Sequence, residues 1–383
     1  MPNRVRPRVA VVSRIFAPEP AAAAFRLAGL VRALAAQADV RVMTVTEPSG
    51  KGADIPSWVR VSRWPVLRDP HGYVRGYLQY ISFDVPLAFR LLFARRLDVV
   101  VVEPPPTTGA VVRAVCALRR IPYVYNAADI WSDAAESTGA PAFVVRALRT
   151  LEKWALRGAS AVLSVSDGVT ERARELGASG VVTVGNGVDT AVFTPHGPRR
   201  GDGRFLLYAG TASEWQGAEI FVRAMPRVLE VIPDARLVFL GQGSSWATLR
   251  SEAERLVPGS VDLLPVAPAS TAAEWLRGAS AAVVSLKPDQ GYDFAIPTKV
   301  FAALAAGTPV VYAGPGPAAD LIEEDRMGWT AAYDVEEVAG AMVAALGHNA
   351  EEGDPERFSA WVETHRSLRA VGERAAAVVL AES

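Results

Sequence analysis

The chain has a single cysteine, Cys116. That excludes an internal disulfide and any cysteine-based zinc site. With four histidines and no Asp-x-Asp anywhere, there is no metal-ligand pattern either, so no metal is expected. No apolar run reaches the roughly 20 residues of a membrane-spanning helix. The opening MPNRVRPRVAVVS leads straight into an expected strand without the apolar core of a signal peptide, and the expected location is cytoplasmic. Neither sign of charge dominates. Lys and Arg number 40 against 41 Asp and Glu, a net charge of −1, which speaks against a general nucleic-acid binder. The loop after the first expected strand holds no Gly-x-Gly-x-x-Gly, so the NAD or FAD fingerprint is missing.

What is present is a compact, globular composition. Half of the 383 residues are apolar and 21% are charged, at a length that suits two domains. The chain is organised around Tyr292–Val311, YDFAIPTKVFAALAAGTPVV. A polar opening runs into Pro297, Thr298 and Lys299, then a small-residue helix over Val300–Ala306, a stop at Gly307 and a β-branched strand. Pro297 and Thr298 suit the first turn of a helix, and Gly307 suits its end. A helix N-terminus presents unpaired N–H groups and partial positive charge, and Lys299 adds a full charge there. The stretch therefore reads as a diphosphate cradle. The same pattern also fits an ordinary strand–loop–helix–strand unit with a solvated lysine.

Around this stretch, apolar strands alternate with helices. Val9–Val12, Val40–Thr46, Asp98–Val102, Pro122–Tyr125, Ala161–Val165 and Val181–Val184 are expected strands of a first parallel sheet. Phe205–Ala209, Arg236–Leu240, Val261–Leu264, Ala281–Ser285 and Pro309–Tyr312 repeat the pattern. Ligands of such sheets bind beyond the carboxyl ends of the strands. Glu19 and Pro20 are placed there after the first strand, and Asn126, Asp129 and Trp131 after Pro122–Tyr125. The segment Trp58–Leu97 breaks the alternation with Trp58, Trp64, Tyr73, Tyr77, Tyr80 and Phe83 among seven arginines. It fits a surface that meets a membrane or a lipid-linked acceptor. It also fits a helical insertion with aromatics in the core and arginines in solvent, and this second reading is preferred.

In order along the chain stand SRIFAPEPAAAAFR, DVVVVEPPPTTG, IPYVYNAADIW, LEKWALRGASAVLSVS, GNGVDTAVFTP, LLYAGTASEWQG, ARLVFLGQG and IPTKVFAALAAGTPVV. Together they resemble the retaining GT-B glycosyltransferases of family 4, nearest the branch that builds bacterial O-antigens and exopolysaccharides. The resemblance covers nearly the whole chain. It implies an α/β fold of two Rossmann-like doubly wound domains facing across a cleft. The expected division is an acceptor-binding domain over 1–192, a nucleotide-sugar-binding domain over 193–355, and C-terminal helices over 356–383 that return to the first domain. The resemblance implies donor contacts from Gly210, Thr211, Gln216, Gly217, Gly241, Gly243, Thr298 and Lys299. On the acceptor side it implies Arg14, Glu19 and Asn126, with Asp129 near the transferred sugar.

Five positions depart from the family pattern. Its basic pair falls at Thr211 and Gln216, its paired glutamates at Phe294 and Ala302, and a frequent histidine or arginine at Ala128. Lys299 is left as the main charge on the diphosphate. The implied reaction is metal-independent transfer with retention. The acceptor attacks from the leaving-group face, and the leaving phosphate takes its proton. The expected partners are a UDP- or dTDP-sugar and a glycan, lipid-linked or small-molecule acceptor. Peripheral contact with the inner face of a membrane would run through 58–97. No further cofactor is implied. Because the family's ribose-gripping glutamate is Ala302 here, weak discrimination between ribose and deoxyribose is expected. The same departures also fit a transferase-like binding partner without turnover. A sugar-nucleotide epimerase would share the architecture, but the motif order speaks against it.

Overall fold

The computed structural model describes residues 6–19, 22–46, 58–69, 74, 76–137, 139–201, 204–348 and 353–383. Pro20, Tyr73 and Arg75 lie outside the described residues. The chain forms two compact units: Met1–Asn186 with Leu368–Ser383, and Gly187–Ser367.

The first unit runs β1 (Arg8–Val12), α1 (Ala22–Ala35), β2 (Asp39–Val45), β3 (Arg60–Trp64), α2 (Tyr77–Leu92), β4 (Val99–Val102) and α3 (Pro106–Arg119). It continues with β5 (Tyr123–Ala127), α4 (Trp131–Ser137), α5 (Ala142–Gly158), β6 (Ala161–Ser164), α6 (Asp167–Glu175) and β7 (Val181–Thr183). The strands form one parallel sheet in the order β3-β2-β1-β4-β5-β6-β7. β1 and β4 sit at its centre, where Val9–Val12 and Val99–Val102 are fully buried. β-branched side chains packed on both faces of a parallel sheet account for such unbroken apolar runs.

The second unit runs β8 (Phe205–Thr211), α7 (Glu219–Val231), β9 (Arg236–Gln242), α8 (Trp246–Leu256), β10 (Val261–Leu264), α9 (Ala269–Gly278) and β11 (Ala281–Ser285). After these come α10 (Thr298–Ala305), β12 (Val310–Ala313), α11 (Pro317–Glu324), β13 (Gly328–Ala331), α12 (Val335–Gly347) and α13 (Asp354–His365). Its parallel sheet has the order β10-β9-β8-β11-β12-β13. The final helix, α14 (Leu368–Ala381), belongs to the first unit. There Ala375, Ala376 and Val379 share a core cluster with Leu27, Leu30 and Leu34 of α1.

Three expectations change. The chain leaves the first unit at Asn186, earlier than 192, because Val188 already packs in the second unit's core. Of the C-terminal helices only α14 returns. α13 stays with the second unit, held by Phe358 and Val362 in that core. The segment 58–97 is not purely helical, since Arg60–Trp64 forms β3, the edge strand paired with β2. Nor are its aromatics mainly core. Phe83 is buried, but Trp58, Trp64 and Tyr77 are exposed. Three of its arginines are bound rather than freely solvated. Arg63 donates to the carbonyls of Val45 and Ala17, Arg68 to that of Thr46, and Arg90 to that of Ser62.

Candidate active site

Strand order reverses between β1 and β4 in the first sheet and between β8 and β11 in the second. Such switch points open a crevice beyond the carboxyl ends of the strands. The polar residues singled out from sequence gather at these two places, and each is described within its own unit.

In the second unit, β8 and β9 stay paired to their ends, with Gly210 opposite Gly241 and Thr211 opposite Gln242. Gly241 and Gly243 hold left-handed backbone angles. A Cβ at either would lie about 2 Å from the carbonyl oxygen of Gly210 or Ala212, so only glycine allows this approach. α10 starts at Thr298, after Pro297, and carries Lys299 in its first turn. The Lys299 ammonium reaches back to β8. It donates to the phenol oxygen of Tyr208 and the carbonyl of Thr211, and lies 4.1 Å from the centre of the Tyr208 ring. No carboxylate pairs with it among the described residues. By surface area Lys299 is only half-buried, yet enough protein packs around the ammonium to bring its pKa down to about 7. Removing water penalises the charged form.

Tyr208 is fully buried. Its hydroxyl is within donating distance of Thr211 O (3.0 Å) and Gln216 Oε1 (3.1 Å). Gln216 is buried too, and its Oε1 accepts from the Ser213 N–H at 3.1 Å in the capping box of the 3₁₀ turn Glu214–Gln216. The side-chain oxygen at the position of the family's second basic residue thus orients Tyr208, which in turn carries Lys299. Gly217 packs against Tyr333, whose hydroxyl donates to its carbonyl at 2.7 Å.

Sequence reasoning missed Tyr208. It also missed the stacked pair Trp215 and Tyr292, whose ring centres are 4.4 Å apart, and Asp293. One Asp293 oxygen accepts from Asp289 N at 3.3 Å, and the other is buried without a partner. Asp293 could have been found as the acidic residue directly before Phe294. The aromatic pair leaves no local signal. Thr298 and Phe294 are exposed, and Ala302 is half-buried on α10 against the core.

In the first unit, Arg14 follows β1. It is buried, donates to the Val74 carbonyl and stands 4.2 Å over the Tyr80 ring, with Trp131 beyond. Burial lowers its pKa. At the end of β4, buried Glu103 accepts from Asn126 of β5 and pairs with Arg26 at 3.2 Å. Burial raises the Glu103 pKa against the opposing pull of Arg26 and Asn126. Sequence reasoning gave Glu103 no role at the site. Asn126 lies within β5 rather than beyond it.

Asp129 is exposed after β5 and makes no hydrogen bond or ion pair among the described residues. The N-terminus of α4 is capped instead by Glu152 of α5, which accepts from Trp131 N at 2.8 Å and Ser132 N at 2.9 Å. Glu19 pairs with Arg68 at 3.3 Å. No group of three or more His, Cys, Asp or Glu is arranged to hold a metal among the described residues.

Residues 22–187 match the family profile described as a glycosyl transferase 4-like domain, and residues 203–348 match that of the glycosyl transferases group 1. The chain belongs to the family 4, or group 1, glycosyltransferases. No curated protein matches it significantly in sequence.

Solved structures of the GT-B fold match it end to end at low identity. Sucrose-phosphate synthase from Thermosynechococcus elongatus has 16% identity and a TM-score of 0.68, over 99% of this chain and 100% of that one. HepE from Anabaena, in complex with UDP-glucose, has 15% identity and a TM-score of 0.66, over 98% and 100%. WaaG, a glycosyltransferase involved in lipopolysaccharide biosynthesis, has 17% identity and a TM-score of 0.64, over 97% and 99%. The expected family and the two-domain α/β fold therefore both hold.

Proposed function

We propose that this glycosyltransferase moves a sugar, with retention and without a metal, from a UDP- or dTDP-sugar to a glycan, lipid-linked or small-molecule acceptor. The donor half-site is the β8–β9–α10 corner, and the acceptor half-site is the β1–β4–β5 corner. The observation that carries this reading is Lys299, a cation without a carboxylate partner among the described residues, set in the first turn of α10 beside Gly210 and Thr211. As the bond from the anomeric carbon to the diphosphate breaks, negative charge grows on the leaving oxygen. A fixed cation and helix N–H groups stabilise that charge without a metal. The acceptor oxygen bonds to the same face of the carbon, and its proton passes to the leaving phosphate. Asp293 offers a carboxylate to a sugar hydroxyl, and Trp215 and Tyr292 an apolar wall. HepE with UDP-glucose and the lipopolysaccharide role of WaaG support a nucleotide-sugar donor and a surface-glycan acceptor.

The test is a panel of UDP- and dTDP-sugars with excess EDTA, read as released nucleoside diphosphate. At least one donor turns over, at a rate the chelator leaves unchanged. Activity abolished by EDTA and restored by magnesium or manganese would overturn the metal-free mechanism. Silence from every donor would favour the non-catalytic partner, which the uncharged Thr211 and Gln216 also fit. Comparable use of UDP- and dTDP-linked forms of one sugar is expected, since Ala302 has no carboxylate for the ribose and Glu323 accepts from Thr330.

Asp129 is assigned to the sugar or acceptor. Asp129→Asn removes the charge and keeps the shape. Because Glu152 caps α4, the melting temperature stays unchanged while turnover falls at least about tenfold, or 1.4 kcal/mol. Unaltered turnover in this variant removes Asp129 from the site.

A further inference from the structure

The helix α2 is apolar on two opposite faces. Phe83, Leu87 and Leu91 are at most 1% exposed and sit in the core. On the outer side Tyr77, Ile81, Val85 and Phe89 follow one another four residues apart. Phe93, just past the helix, extends the line, and Leu78 lies beside it. These six residues are between 51% and 77% exposed. Residues four apart lie along one side of a helix, so they form a continuous stripe. A surface helix normally turns charge outward, yet both charged residues of α2 point inward. Asp84 is buried and accepts from Thr108 at 2.6 Å, and Arg90 is bound to Ser62. Trp58, Trp64 and Leu67 add exposed apolar surface around β3.

Arginine dominates the charge around the stripe. Residues 58–97 contain seven arginines, no lysine or glutamate, and two aspartates, of which Asp84 is buried. Arg60, Arg95 and Arg96 are exposed, and Arg96 pairs with Asp98, just past the segment, at 3.3 Å. Aromatic and branched apolar side chains within an arginine rim suit the headgroup boundary of an anionic leaflet. No helix among the described residues is long and apolar enough to cross a membrane, so contact through α2 would lie along the surface.

We infer that the outer face of α2 docks this protein on an anionic lipid bilayer. The opposite side of the same helix carries Tyr80 to Arg14 and Trp131. The inference therefore deepens the proposed function by choosing a lipid-linked acceptor, and for that choice it rests on the reading of the Arg14 corner.

The test is co-sedimentation of the full chain with vesicles of equal parts phosphatidylglycerol and phosphatidylcholine, and with phosphatidylcholine alone. The protein binds the anionic vesicles. The double variant Ile81→Asp, Phe89→Asp loses at least about tenfold in partitioning, and Arg95→Glu, Arg96→Glu loses on the order of fivefold per arginine, as does the native protein in high salt. If the aspartates lower the melting temperature, the milder pair Ile81→Ser, Phe93→Ser is read in their place.

Native protein that stays in the supernatant overturns the inference, as does undiminished binding by folded variants. A native dimer that Ile81→Asp, Phe89→Asp converts to monomer also overturns it, by giving the face to a second copy. None of these readouts needs turnover. A protein that binds vesicles yet releases no nucleotide refutes the transferase reading alone.

Discussion

Lys299→Ala lowers kcat for the true donor by about 100- to 1,000-fold, the loss that follows removal of one key donor to a developing anion. The expectation is large because little else can share the load. The family's basic positions hold Thr211 and Gln216, and the Gln216 oxygen is engaged by Tyr208 and the Ser213 N–H. The helix N-terminus remains in the variant, so activity falls without vanishing. Instability does not explain the loss. The native ammonium sits where burial penalises its charge, and Tyr208 keeps Gln216 and the Thr211 carbonyl as partners. The melting temperature is therefore unchanged or raised. Steady-state kinetics and thermal melting measure both quantities. A kcat reduced less than about tenfold in a folded variant would return the leaving-group charge to the helix dipole alone.

The central strands were legible because complete burial leaves a sequence mark. Val99–Val102 and Ala281–Val284 are apolar throughout, as strands covered on both faces must be. Two of the four edge strands were not legible. β3 reads Arg-Val-Ser-Arg-Trp and is half-exposed, and β13 reads Gly-Trp-Thr-Ala and is half-buried. Neither makes an apolar run. Gly210 and Thr211 looked like loop because a glycine near a strand end signals a break, yet pairing with Gly241 and Gln242 carries β8 through them.

At the site, Lys299 was legible from Pro297, Thr298 and Gly307, which mark the helix and its start. Its seat on Tyr208 was not, because that contact joins residues 91 positions apart. Glu152 was hidden in the same way, capping a helix 21 residues before it. Asp129, just before Ile130 and Trp131, stands where a local cap of α4 would, and only tertiary structure shows that role filled from elsewhere.

That seat on Tyr208 also sets how donor binding depends on pH. Without ligand, burial holds the Lys299 pKa near 7 against an ordinary 10.5. A diphosphate on α10 supplies the missing opposite charge and raises that pKa again. Between pH 7 and the pKa of the complex, nucleotide binding takes up one proton. Affinity therefore falls about tenfold for each unit of pH above 7, the linkage slope of one proton. Below pH 7 the lysine is already charged and this dependence disappears.

For folding the sign is opposite. The unfolded chain holds the proton between about 7 and 10.5 while the folded chain has lost it. The penalty is thus fully present below 7, and stability rises with pH across that window. Titration calorimetry with UDP from pH 7 to 9 checks the binding arm, since the terminal phosphate, with a pKa of about 6, is already ionised there. Two buffers of different ionisation enthalpy count the proton. Lys299→Arg stays charged throughout and flattens the profile. A UDP affinity constant from pH 7 to 9 in the native protein, with no proton taken up, would mean that Lys299 is not the group that meets the diphosphate.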